Sequence, residues 1–151
     1  MNSHPNTSNW EWNKGPIGRT VKVAYITLRR EVEEQLKPIG LTHTQWSALG
    51  ILNHFPGITS SELELILMIE RPSVTSLMNG LEKRKLIIRK NHPDDARYKQ
   101  IYLTEEGKKI AMETQQLTHL VEDRVKEGFS AEEFEMFKKL LNKLINLFEK
   151  E

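Results

Sequence analysis

A mainly α fold with a minor β component is what the sequence predicts, and three observations predict it. Helix-start grammar recurs three times: Thr42 with Gln45, Thr59 with Glu62 and Ser130 with Glu133 each set a capping hydroxyl three residues before a side chain that can answer it. Apolar residues return at helical spacing over most of the chain. One pair of strand-like runs stands out, Leu86–Lys90 and Lys99–Leu103, around the turn formers of Asn91–Ala96. Taken in order, a short helix, a tight link, a helix with a polar outer face and a basic hairpin form a winged helix-turn-helix. Long N- and C-terminal helices flank it.

Residues 1–14 are polar and read as a flexible tail, in which Trp10 and Trp12 are expected to pack on the body or on a second subunit. The first long helix spans Ile17 to Lys37. Val21, Ala24, Leu28, Val32 and Leu36 form its stripe, Arg29, Arg30, Glu31, Glu33 and Glu34 its solvent side, and Pro38–Ile39–Gly40 its end. Thr42 then caps a helix to about His54, with Leu41 and Trp46 as its hydrophobic staple, and Phe55–Pro56–Gly57 breaks it. Thr59 caps the next, Ser60 to Met68, stapled by Ile58 and Leu63.

Pro72 suits the first turn of the following helix, where its missing N–H costs nothing. Val74, Leu77, Met78 and Leu81 share one side of that helix; Thr75, Ser76, Asn79 and Lys83 take the other, which carries no acid. After the hairpin, Thr104 opens a helix expected to run to Lys126, with Ile110, Leu117, Leu120, Val121 and Val125 on its apolar side. Gly128 breaks it. The last helix, stapled by Phe129 and Phe134, runs to the end of the chain.

Charge is concentrated rather than spread. Residues 71–99 hold eight lysines and arginines against three acids, a local charge of +5, in a 151-residue chain whose net charge is +1. Such an asymmetry around a groove-sized helix is the electrostatic footprint of a surface for duplex DNA. The hydrophobic fraction is 38% and cysteine is absent, which removes disulfides, thiolate metal sites and thiol chemistry. No apolar run approaches membrane-spanning length, and the N-terminus shows neither a basic start nor an apolar export core. The expectation is a cytoplasmic protein without a membrane partner, nucleoid-associated when bound. The terminal helices carry more apolar surface than the central lobe can cover, so they are expected to pair with their copies in a homodimer through Ile17, Val21, Phe134, Phe137, Leu141, Leu144 and Phe148. The expected division is 15–40 and 104–151 for dimerisation and 41–103 for the DNA-binding lobe.

Leu41–Thr42–x–Thr44–Gln45–Trp46–x–x–Leu49, Thr59–x–x–Glu62–Leu63 and Ser73–Val74–Thr75–x–Leu77–x–x–x–Leu81–Glu82–Lys83 are followed by Asp95–x–Arg97 and Leu103–Thr104–x–x–Gly107. In these residues the chain resembles the MarR family of bacterial winged-helix repressors, over about Ile17 to Phe148. The resemblance implies a homodimer with each recognition helix in a major groove and each wing in a minor groove. Arg97 would then be the wing-tip arginine, held by Asp95, and Ser73, Thr75, Ser76 and Asn79 would face bases or phosphates. The candidate DNA contacts are these six with Arg71, Lys83, Arg84, Arg89, Lys90 and Lys99. Two departures stand out: Lys85 where the family commonly has glycine, which predicts a less sharply turned helix end, and Ala96 in place of a common wing arginine. The resemblance also implies a small-molecule effector between the lobe and the dimer helices, with Tyr25, Arg29, Trp46 and His54 as candidate lining.

Catalysis finds no support. There is no glycine-rich phosphate loop, Ser73, Thr75 and Ser76 lack a nearby His–Asp pair, and Asp94–Asp95 read as turn residues. No cofactor is expected. The alternatives are a metal-responsive regulator of the same fold, using His43, His54 and His119, and a helical protein-interaction module that does not bind DNA. Histidine spacing offers no HxxxH pair for the first.

Overall fold

The computed structural model describes residues 14–149, so the flexible tail expected over 1–14, with Trp10 and Trp12, lies almost wholly outside the described residues. Helix α1 covers Ile17–Leu36 and ends in a 3-10 turn, Lys37–Ile39, closed by Gly40 in the left-handed conformation at φ 69°. There follow α2 (His43–His54), α3 (Ser60–Leu67), α4 (Arg71–Lys83), β1 (Ile87–Asn91), β2 (Lys99–Leu103), α5 (Glu105–Thr114), α6 (Leu117–Gly128) and α7 (Ala131–Asn146). All three capping boxes form, at Thr42, Thr59 and Ser130.

The core lies where α2, α3 and α4 meet the inner side of the hairpin. Val74, Leu77, Met78 and Leu81 of α4 are all buried, as the spacing requires, against Leu49, Leu52, Leu63, Ile87 and Ile101. Each such side chain withdrawn from water contributes roughly 1.5–3 kcal/mol. The strands pair antiparallel with Ile87 opposite Leu103 and Arg89 opposite Ile101. The link between α2 and α3 docks on the same edge, where Ile101 N–H donates to Ile58 O at 2.9 Å and Gly57 N–H to Ile101 O at 2.9 Å.

The long helix expected from Glu105 to Lys126 is two helices. Thr114 is the cause: it is buried, and its hydroxyl donates back to Ile110 O at 2.7 Å, a bond that competes with the helical ladder and bends it. At the break the ladder tightens to three-residue steps, with Gln115 N–H on Met112 O and His119 N–H on Gln116 O. Trp46 Nε1 donates to Thr114 O at 3.3 Å, so the indole satisfies a carbonyl at the bend.

The helix end before Lys85 is also corrected. Lys85 takes φ 58°, with Lys85 N–H on Glu82 O at 2.9 Å and Leu86 N–H on Leu81 O at 3.0 Å. This is the Schellman closure that glycine normally makes, with buried Leu81 and Leu86 in contact positions across it. The end turns as sharply with lysine as it would with glycine. Met68 closes α3 the same way at φ 52°, so both ends of the link-and-helix unit around α4 are set by non-glycine left-handed residues.

Near the termini, Phe129 stacks on Phe137 at 5.9 Å, and the ammonium groups of Lys126 and Lys138 lie over the Phe134 ring. The charged side of α1 is not all solvent either, because Glu31 pairs with Arg124 of α6 and Arg29 Nε with Glu33 at 2.6 Å. Val32 and Leu36 are buried, but Ile17, Val21 and Leu28 higher on the stripe are exposed, and no residue of α7 is buried. Among the described residues no helix is long and apolar enough to cross a membrane.

Candidate nucleic-acid interface

Helix α4 is amphipathic, and its outer side is left open by the packing of its inner one. Arg71, Ser73, Thr75, Ser76, Asn79 and Lys83 are all exposed. Ser73 and Ser76 line a shallow groove with Thr42, Thr44 and Gln45 from the start of α2. Arg71 reaches Glu64 of α3 at 3.6 Å, and Thr75 Oγ1 donates to Arg71 O at 3.1 Å, leaving its oxygen lone pairs outward. Lys83 has no acidic partner among the described residues.

The hairpin stands beside this face. Arg89, on the strand face that carries Ile87, points back at α4: its Nη2 donates to Asn79 Oδ1 at 3.2 Å and to the Glu82 carboxylate. That hydrogen bond, with Lys99 adding a smaller attraction, holds the Glu82 carboxyl below its ordinary value. Lys90 faces the other way, its ammonium 5.3 Å from the centre of the Tyr102 ring. At the tip, Arg97 forks onto Asp95, with Nε on Oδ1 at 3.0 Å and Nη2 on Oδ2 at 2.6 Å, while the Arg97 backbone N–H also donates to Oδ1 at 3.0 Å. The Arg97 side chain nonetheless stays 85% exposed, so the carboxylate aims the guanidinium outward without burying it. Its hydrogen bonds depress the Asp95 pKa and raise that of Arg97.

Besides Arg89, a second candidate contact is engaged within the protein. Arg84 donates to Gly40 O at 2.6 Å and Ile39 O at 3.1 Å, so its guanidinium ties the end of α4 to the link before α2. The outer side of α4, expected to carry no acid, carries one: Glu82 is exposed, three positions from Asn79 and thus beside it on the helix, where it pairs with Arg89. That spacing opposite a strand arginine was the available signal. The exit motif also resolves into roles. Thr104 caps α5 and donates to Lys85 O at 2.7 Å, and a Cβ at Gly107 would stand 2.0 Å from Leu86 O.

The expected effector lining separates into two places. Trp46 and His54 border a mostly apolar cleft of about 310 Å³ between α2 and the α5–α6 bend, with Ile51, Phe55, Ala111 and Gln115. Tyr25 and Arg29 are not among its lining residues; Arg29 is held by Glu33, near His43, whose imidazole stacks edge-on against Trp46 at 5.4 Å. Among the described residues no three of His, Cys, Asp and Glu converge to hold a metal ion, and His43, His54 and His119 stay apart in this respect.

Comparison with known proteins gives a consistent picture. A family model described as MarR family matches residues 39–97. S. aureus MepR in complex with DNA is similar over 89% of this chain and 100% of its own, at 25% identity and a TM-score of 0.84. A mutant E. coli MarR in complex with operator DNA matches at 25% identity and a TM-score of 0.79, over 85% of this chain and 93% of its own. The transcriptional repressor CouR on a 23-mer DNA duplex matches at 26% identity and a TM-score of 0.77, over 86% and 92%.

Proposed function

We propose, on the premise that this chain belongs to the MarR family of winged-helix regulators, that it works as a homodimeric repressor on a pseudo-palindromic operator. The family consists of DNA-binding regulators without enzymatic activity. One observation carries the reading: α4 buries Val74, Leu77, Met78 and Leu81 and leaves Ser73, Thr75, Ser76, Asn79 and Lys83 exposed beside a hairpin that ends in an exposed arginine. A major groove admits such a helix, and an arginine on a hairpin tip suits the narrower groove next to it. Residues 15–40 and 104–151 supply the dimer contact, through the apolar faces that the single chain leaves uncovered. Half-sites then recur about one helical turn, roughly 10 bp, apart. A DNA regulator of this kind works in the cytoplasm.

Fluorescence anisotropy on the DNA upstream of its own gene tests this. Arg97→Ala weakens binding, and Lys83→Ala lowers the dependence of log K on log salt by about one unit if that lysine meets a phosphate. Unchanged affinity and slope in both variants would refute the placement.

The cleft at Trp46 and His54 is the proposed effector site. Its lining is mostly apolar, with Ser47, Asn53, His54, Gln115 and Thr118 supplying polar groups, which suits a small aromatic or aliphatic ligand bearing polar substituents. Quenching of Trp46 fluorescence by ligand, lost in His54→Ala, reports binding there.

A further inference from the structure

We infer that Arg89 fixes the amide of Asn79 with its nitrogen outward, so that α4 presents a donor at this position and reads guanine in preference to adenine. The inference rests on the DNA-binding reading and adds a base preference to it.

An arginine has five N–H donors and no acceptor. It can therefore hydrogen-bond a carboxamide only through the oxygen. Arg89 Nη2 does so, at 3.2 Å from Asn79 Oδ1, while the Glu82 carboxylate holds the same nitrogen. Strand β1 brings the guanidinium to α4 from the side of the core, because Arg89 shares its strand face with buried Ile87. Asn79 is exposed, so the half of its amide turned away from Arg89 is the –NH₂. A free asparagine pairs best with adenine, donating to N7 while its oxygen accepts from N6. Here that oxygen is already engaged. The group left facing outward matches an edge of acceptors, which is guanine's N7 and O6; thymine O4 is a poorer second, and the cytosine amino group is mismatched. Arg89 acts as a positioning residue, through Asn79 and not by touching DNA.

The test measures competition by a set of operators carrying every single base-pair change, against wild-type protein and against Asn79→Ala, Arg89→Met and Arg89→Lys. The base pair governed by Asn79 is the one whose preference Asn79→Ala erases. There the wild type favours guanine over adenine by about tenfold, within the discrimination one base contact supplies. Arg89→Met keeps an apolar stem but cannot donate, so it frees the amide and brings adenine level with guanine or ahead of it. Arg89→Lys still donates and keeps the guanine preference. Adenine favoured by the wild type, an Asn79→Ala variant with every preference intact, or an Arg89→Met variant with the wild-type order would each overturn the inference. A wild type that binds no operator would overturn the DNA-binding reading beneath it as well.

Discussion

Replacing Gly107 with alanine would set a methyl group where the Leu86 carbonyl already stands. The added Cβ falls 2.0 Å from Leu86 O, 3.0 Å from Leu86 C and 3.4 Å from a Leu103 methyl. Carbon and carbonyl oxygen ordinarily approach to about 3.3 Å, so one backbone must retreat by more than 1 Å. Neither is free to do so. Leu86 O accepts from Thr104 N–H at 3.0 Å, and Thr104 Oγ1 both donates to Lys85 O at 2.7 Å and accepts from Gly107 N–H at 3.0 Å. Overpacking of this kind costs roughly 1–3 kcal/mol and a lost cap about 1 more; against these, alanine returns about 1 kcal/mol of helix propensity, and the strained Thr104 bond to Leu86 forfeits a similar amount. The expected loss is about 2–4 kcal/mol by the sum of those contributions. Gly50→Ala is the matched comparison: it lies inside α2 with nothing within 4 Å of the added carbon, and gains about 0.5–1 kcal/mol. Urea unfolding at one fixed protein concentration, which holds any dimer linkage constant, reads both. A Gly107→Ala protein within about 0.5 kcal/mol of wild type would refute the reasoning.

Two further outcomes follow from the same geometry. Lys85→Gly relieves a left-handed lysine at φ 58° without touching the two hydrogen bonds that close α4, and should raise stability by up to about 1 kcal/mol in thermal unfolding; a lower Tm would contradict the strain. Burial first, and then the Arg29 cation, hold the His43 imidazole below its ordinary value of 6.5 against the opposing pull of Glu33. Because the folded value lies under the unfolded one, this contribution to stability is present above pH 6.5 and drains away as the pH falls through the folded value. The urea midpoint should therefore drop on that limb, and His43→Gln should flatten it. Glu62, Glu82 and Asp95, all depressed carboxyls, lose their contributions only further down, so a midpoint that rose below pH 6.5 would count against the assignment.

Local rules made most of the fold legible. Three capping boxes fell where hydroxyl and answering side chain are three apart, and the stripe of α4 is buried to the residue, because both depend on neighbours in sequence. What escaped depends on partners far along the chain. The bend at Thr114 has a local trigger in its own hydroxyl, but it is held by an indole 68 positions away. Lys85 in place of the family's glycine predicted a less sharply turned helix end, although the burial of Leu81 and Leu86 and two backbone bonds outweigh roughly 1–2 kcal/mol of strain. In the candidate interface, counting cations identified the patch but not its wiring. Arg84, Arg89 and Arg97 look equivalent as charges; one is tied to main-chain carbonyls, one to α4 and one to Asp95 at an open tip.

That wiring bears on how a ligand could reach the reading face. Helix α2 is common to both regions: Trp46 lines the cleft and donates to Thr114 O at the bend, while Gln45, its neighbour, caps the helix start and lies so near Gly80 that an added Cβ there would stand 3.4 Å from its amide nitrogen. On the proposed reading, an occupant that alters the angle at the bend acts on α2 through the indole and on α4 through the helix that α2 carries against it. Binding alone is insufficient. The ligand must favour one angle over the other, since equal affinity for both shifts no population however tight it is. Trp46→Phe preserves the apolar wall and removes the donor to Thr114, so it should leave ligand affinity near wild type while weakening the effect of ligand on operator binding. If the coupling survived intact in that variant, the path through the indole would be wrong, whatever the cleft binds.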